Sequence, residues 1–244
     1  TRIFVTHDHP DHMGLAPWLA ARHGAGVWMS EYAHRSAGEF LDIDPGMLAE
    51  RIRGFLHSHG VEVPPGVPPA RGDHREWYGG LPPLAASPGD GDSIEAGGGR
   101  WQVVETGGHC RGHLCLHDAA RRLLISGDQV LPSISPNVSV LSSAPEADPL
   151  REFLASLQRL GDCHPDTLVL PSHGRPFRGL HRRVADLTAH HQQQLEALRA
   201  FCTEPRTAFE VLPSMFRHVP RGFHRLLAVG EAVAHLNYLC TSGA

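Results

Sequence analysis

Thr6-His7-Asp8-His9-Pro10-Asp11-His12, almost at the start of the chain, packs three imidazoles and two carboxylates into six residues. Side chains two apart on an extended backbone point to the same side, so His7 and His9 can close on one metal ion. The turn at Pro10 re-aims Asp11 and His12 toward a second point. Imidazole nitrogen and carboxylate oxygen together suit a borderline metal such as zinc, with iron or manganese also possible. Two ions need about seven or eight protein ligands, so more donors are expected downstream.

Three downstream pieces fit. Gly107-Gly108-His109-Cys110-Arg111-Gly112-His113 follows the strand-like run Trp101–Thr106. Leu123-Leu124-Ile125-Ser126-Gly127-Asp128 is an apolar strand that delivers a carboxylate at its end. Leu168-Val169-Leu170-Pro171-Ser172-His173 is another that delivers a histidine. Ligands at the ends of rigid strands are the ones best held for chemistry.

With these residues in hand, the chain resembles the metallo-β-lactamase-fold superfamily over roughly residues 1 to 180. Gly112-His113-Leu114-Cys115-Leu116 and the run from Arg121 to Asp128 look most like its glyoxalase-II-like (hydroxyacylglutathione hydrolase-like) branch. The resemblance implies an α/β fold, an αβ/βα sandwich. It also implies two divalent metal ions, one held by His7, His9 and His109 and the other by Asp11, His12 and His173, with Asp128 between them. His113 then has two readings: it orients a ligand by a hydrogen bond, or it fixes the turn. Most of the other histidines are assigned to surface or satisfied core positions. Cys110, beside His109, reads as an inert packed thiol, with a supporting group behind the ligands or a reactive thiol as the alternatives.

The implied reaction is attack of a metal-bridging hydroxide on a carbonyl ester or thioester, with Asp11 as the proton shuttle. A thiolate leaving group, with a pKa near ~8.5, needs little acid assistance, which favours a thioester, ester or lactone over an RNA phosphodiester. The alternative is a metal-dependent ribonuclease or nucleic-acid-binding module; a β-lactamase or lactonase ranks lower.

Composition narrows the field. The chain has 244 residues, 41% of them hydrophobic and 20% charged, as expected of a globular protein with a sizeable core. All 22 basic residues are arginine, so lysine Schiff-base chemistry is excluded. A net charge of -4 gives no global attraction to nucleic acid. No apolar run approaches the ~18 residues of a membrane span. Five cysteines without framework spacing read as reduced thiols of a cytoplasmic protein. The expected partner is a small, possibly anionic substrate; a homodimer is compatible.

Residues 1–179 are expected to form the hydrolase domain, without the β-rich segment that normally precedes the first ligand motif in such folds; a signal peptide is therefore not assessable. Strands are expected at Ile3–Val5, Gly26–Met29, Trp101–Thr106 and 167–170. Helices are expected at Leu15–His23, Glu31–Ala37, Met47–His59 and 149–160. Residues 31–84 form a helical and loop insertion, with 60–92 broken by prolines and glycines. Two roles fit its aromatics: a lid over the metal mouth, for which Trp77 and Tyr78 are the candidates, or a small core of the insertion's own. Arg175, Arg178, Arg182 and Arg183 follow His173. They either seat an anionic substrate group or lie on a solvated face. Residues 180–202 read as a connector helix. Residues 203–244, with helices at 207–212 and 230–239, resemble the helical part of a winged-helix-like tail, its wing strands falling beyond Ala244.

Overall fold

The computed structural model describes residues 1–64 and 73–243. In chain order the elements begin with β1 (Arg2–Phe4), α1 (Pro10–Met13), α2 (Ala16–His23), β2 (Gly26–Trp28), α3 (Glu31–Asp42) and α4 (Pro45–Ser58). A short 3-10 turn at His74–Trp77, β3 (Leu84–Ala86), β4 (Ser93–Ala96), β5 (Gly99–Thr106), β6 (His113–Asp118) and β7 (Leu123–Gly127) follow. The chain continues through α5 (Pro149–Leu160), β8 (Leu168–Pro171), α6 (Leu180–Phe201), α7 (Ala208–Met215) and α8 (Phe223–Thr241).

Two sheets form the middle of the molecule. One is parallel, ordered β1-β2-β3; the other is ordered β4-β5-β6-β7-β8, antiparallel except that β8 runs parallel to β7. Period-two alternation sorts each strand between two cores. Phe4 and Trp28 turn inward to meet Trp101, Val103, Leu114, Leu116, Leu123 and Ile125 between the sheets. Their neighbours Ile3, Val5, Val27 and Met29 turn outward onto helices α2 and α3. On the far side, Cys115 and Leu124 pack on α5 to α8. The layers are therefore helix, sheet, sheet, helix, the sandwich expected.

Caps place the helices. Ser30 Oγ accepts from Ala33 N at 3.1 Å, and Asp44 accepts from Gly46 and Met47. Asp148 accepts from Arg151 N, and Thr207 with Glu210 forms a reciprocal capping box. Gly24, at φ 58°, stops α2.

Three expectations need correction. The 60–92 stretch is not wholly irregular, because it carries the 3-10 turn and β3; its part at 65–72 lies outside the described residues. The insertion's aromatics divide: Phe40 meets His74 and Tyr78 within the insertion, with ring centroids 4.5 and 6.2 Å apart, but Phe55 packs elsewhere. Phe55 on α4 joins Ile52 and Leu56 against Ala208, Val211 and Leu212 of α7, and Phe209 N donates to His59 O at 3.0 Å. The last helix starts at Phe223 rather than 230, so Gly230 lies inside it.

Candidate metal centre

The donors converge on the seam between the two sheets. Thr6 O accepts from Leu114 N at 2.8 Å, which ties the loop after β1 to β6. Pro10 opens α1 at its first turn, and the His9 carbonyl accepts from His12 and Met13. This short helix carries Asp11 and His12 toward His173, the second point that the turn at Pro10 suggested, while the His12 ring stays 4.1 Å from that of His7.

Two triads result. His7, His9 and His109 form one group, and Asp11, His12 and His173 another; within each, the donor atoms lie within 4.8 Å of one another. Asp128 stands between them. Its Oδ2 is 3.6 Å from His109 Nε2, 3.4 Å from His12 Nε2 and 3.5 Å from His173 Nε2. Asp11 Oδ2 lies 3.2 Å from His173 Nε2 and 3.5 Å from His12 Nε2. A cleft of about 330 Å³, lined by Phe4, Val5, Thr6, Asp11, His12, Ser172 and His173, borders the second triad.

The fit to metal rests on polar atoms left over. His12 Nε2, His109 Nε2 and Asp128 Oδ1 are buried without hydrogen-bond partners among the described residues. Such atoms are costly unless something meets them. Backbone and hydroxyl groups meanwhile hold the opposite ring nitrogens. His109 Nδ1 is 2.8 Å from Asn137 O, and His7 Nδ1 is 3.0 Å from Thr6 Oγ1. A carbonyl can only accept, so His109 carries its proton on Nδ1 and turns the Nε2 lone pair inward.

Electrostatics agree. Burial, reinforced by the neighbouring imidazoles, pushes His7 far below its usual value; burial also lowers His9 and takes His109 down to about 4. Burial alone would raise the Asp128 carboxyl. The close imidazoles of His12, His109 and His173, His12 foremost, outweigh it, and the net shift is downward. Burial thus disfavours the charged forms of His7, His9 and His109 while Asp128 is held ionised, the protonation states a divalent ion needs.

His113 lies beneath this centre. It is fully buried; its Nδ1 is 2.9 Å from Thr106 Oγ1, and its Nε2 accepts from Asp128 N at 3.1 Å. It thus holds the backbone of Asp128, the carboxylate that stands between the two triads. Gly127, at φ 52°, makes this possible: a Cβ there would sit 2.4 Å from His113 Nε2.

The substrate candidates divide. Tyr78 OH donates to Asp8 O at 2.9 Å, so it braces the metal loop. Trp77 is 37% exposed and meets Phe223 of α8 edge-on, with ring centroids 6.3 Å apart. Arg175 is exposed beside His173. Arg178 is not brought to the site. Its guanidinium donates to Asp166 O, before the N-terminal end of β8, whereas His173 follows the C-terminal end. Arg183 also serves structure, donating to Leu131 O and Ile134 O.

Sequence reasoning passed over Asn137, Thr6 and Thr106, and did not pair Cys110 with Asp8. Cys110 Sγ donates to Asp8 Oδ1 at 2.9 Å, and burial pushes its thiol well up. The prolines flanking Ser133-Ile134-Ser135 were the sole cue that residues before Asn137 form a loop.

Residues 1–173 match the family model of the metallo-beta-lactamase superfamily. The chain belongs to that superfamily. Residues 195–244 match the model for the metallo-beta-lactamase-like C-terminal domain. Superfamily members are hydrolases and typically bind two metal ions. A beta-lactamase domain protein from Burkholderia ambifaria superposes with a TM-score of 0.83 at 39% identity, covering 99% of this chain and 68% of that one. A metallo-beta-lactamase family protein from Thermus thermophilus gives 0.81 at 33% identity, covering 100% and 75%. Among curated relatives, a hydroxyacylglutathione hydrolase of Fuscovulum blasticum is 26% identical over 173 residues, covering 71% of this chain and 48% of its own. Acyl-coenzyme A thioesterase MBLAC2 of Gallus gallus is 32% identical over 190 residues, covering 69% of this chain and 65% of its own. The chain thus spans about half to two thirds of the length of these curated relatives, and both support the glyoxalase-II-like branch.

Proposed function

We propose that this protein is a binuclear metal-dependent hydrolase that cleaves a carbonyl thioester or ester. The observation that carries the reading is Asp128 Oδ2, which lies 3.4–3.6 Å from imidazole nitrogens belonging to both triads. His7, His9 and His109 would hold one divalent ion and Asp11, His12 and His173 the other, with Asp128 shared; the nitrogen and oxygen donors suit zinc, and also iron or manganese. When bound, such ions supply an activated water and polarise the attacked carbonyl.

The chain's own groups do the rest. Asp11, its side chain 58% exposed at the cleft and beside His173, accepts the proton of the attacking water and passes it to solvent or to the leaving group. His113 and Asn137 keep Asp128 and His109 in register. A thiolate leaves without a strong acid, which matches a site whose one solvent-facing acid in the ligand set is Asp11. The two curated relatives bear thioester-hydrolase names, which supports the same choice of bond.

The test is a parallel assay of the metal-loaded chain on an acyl-glutathione, an acyl-coenzyme A, a lactone, a β-lactam and single-stranded RNA. Thioester turnover that disappears in Asp128→Ala is expected. RNA cleavage lost in the same variant, without thioester turnover, overturns the proposal.

A further inference from the structure

The C-terminal helix reaches the candidate centre through one short segment. Residues 137–140 lie between β7 and α5, and their polar groups turn onto α8. Val140 N donates to Gly230 O at 3.0 Å. The Ser139 hydroxyl stands 2.7 Å from Asn137 Oδ1 and 3.0 Å from Leu227 O. Asn137 Nδ2 donates to Glu231 Oε2 at 3.4 Å. The backbone carbonyl of this same Asn137 accepts from His109 Nδ1 at 2.8 Å. Asn137 therefore faces α8 with its side chain and the metal centre with its main chain.

Two features of α8 fit this contact. Gly230 permits the approach: a Cβ there would lie 2.8 Å from Val140 O and 2.9 Å from Ser139 Cβ. Glu231 is a half-buried residue whose carboxyl is pushed up to about 7 by its partial removal from water, against the opposing pull of the Asn137 hydrogen bond. A carboxyl drawn partly out of water needs partners, and Asn137 is its side-chain partner here.

We propose that Glu231 and Gly230 are positioning residues of the metal centre: through Asn137, α8 sets the ring orientation of His109 and so the affinity for the ion of the His7, His9 and His109 triad. The inference rests on the reading of His109 as a ligand. Hydrogen bonds behind a ligating imidazole fix its tautomer and plane, and their loss typically weakens metal binding about 10–100-fold. The C-terminal domain thereby becomes a working part of the hydrolase rather than an attachment.

The molecule supplies its own control. Asn237, also on α8, donates to Pro145 O at 3.0 Å and Ala147 O at 2.9 Å. It anchors α8 at a loop away from the Asn137 carbonyl that meets His109. The full chain is stripped of metal and titrated with zinc against a chromophoric chelator, and unfolding of the metal-free forms is followed in parallel. Glu231→Ala and Gly230→Ala should weaken one of two zinc equivalents by about 10–100-fold while largely sparing the other. Glu231→Gln keeps an oxygen for the Asn137 amide and should restore most of that affinity. Asn237→Ala should lower the unfolding temperature without separating the two affinities. Unchanged zinc binding in Glu231→Ala, or an equal loss of both equivalents in Glu231→Ala and Asn237→Ala alike, overturns the inference while leaving the metalloenzyme reading intact. A wild-type chain that takes up no zinc, iron or manganese overturns that reading and the inference together.

Discussion

Gly127→Ala is the sharpest perturbation the structure offers, because it alters one hydrogen-bond junction without touching a donor atom. Gly127 sits at φ 52°, a conformation that costs a side-chain-bearing residue about 1–2 kcal/mol. The added Cβ would fall 2.4 Å from His113 Nε2, with Thr6 Cβ at 3.2 Å, so the imidazole must retreat. Its bond from Asp128 N, now 3.1 Å, then breaks in a fully buried place, at a cost of about 1 kcal/mol. The sum is about 2–3 kcal/mol, which for a chain of this size lowers the unfolding temperature by ~4–12 °C. The metal-free protein, followed by circular dichroism, isolates this effect from ion binding. With Asp128 released from its backbone anchor, both zinc affinities should fall as well. A variant that unfolds at the wild-type temperature and binds both ions normally would refute the claim that His113 and Gly127 jointly seat Asp128.

Further expectations follow from the same geometry. Asp128→Ala should abolish binding of both ions, whereas Asp11→Ala should retain one of them, as read by metal content after gel filtration. The buried pair His191 and His235 is held neutral, with burial lowering the two to about 3 and about 4. Their folded values lie below the unfolded one, so the unfolded chain binds more protons between about pH 6.5 and 4. Their contribution to stability is thus complete above pH 6.5 and falls by ~2 kcal/mol per ring by pH 5; His235→Gln should flatten that acid decline in denaturant titrations. Arg178→Ala should leave KM unchanged for charged and neutral substrates alike, because its guanidinium bonds to Asp166 O; a selective rise in KM for the charged one would restore the anion seat.

The donor positions were legible because each sits in a dense local motif or directly after an apolar strand. Their grouping in space came from the family resemblance alone, since nothing in the spacing of His7, His109 and His173 says which sheet meets which. Short strands escaped notice for a related reason. β3 has three residues after Pro82-Pro83 and pairs in parallel with β2 across more than fifty residues, so neither alternation nor a turn marks it. Of the two readings left open for Arg178, the anion seat rested on closeness in sequence to His173, which is not closeness in space. The chain doubles back after Ser172, pairing Phe177 with Val169, and carries Arg178 to the other end of the strand. Asn137 escaped because its contact with His109 uses a backbone carbonyl, a group every residue has.

The seam location of the centre has a kinetic consequence. Its donors come from both sheets and span residues 7 to 173, so the full set does not exist until Phe4 and Trp28 have packed against the inner face of the second sheet. On the proposed reading, ions that require the docked layers would bind only once those layers have met, and would strengthen contacts formed late in folding. Such contacts act on the escape from the native state. Chelation should therefore shorten the lifetime of the folded chain while scarcely changing how fast it forms.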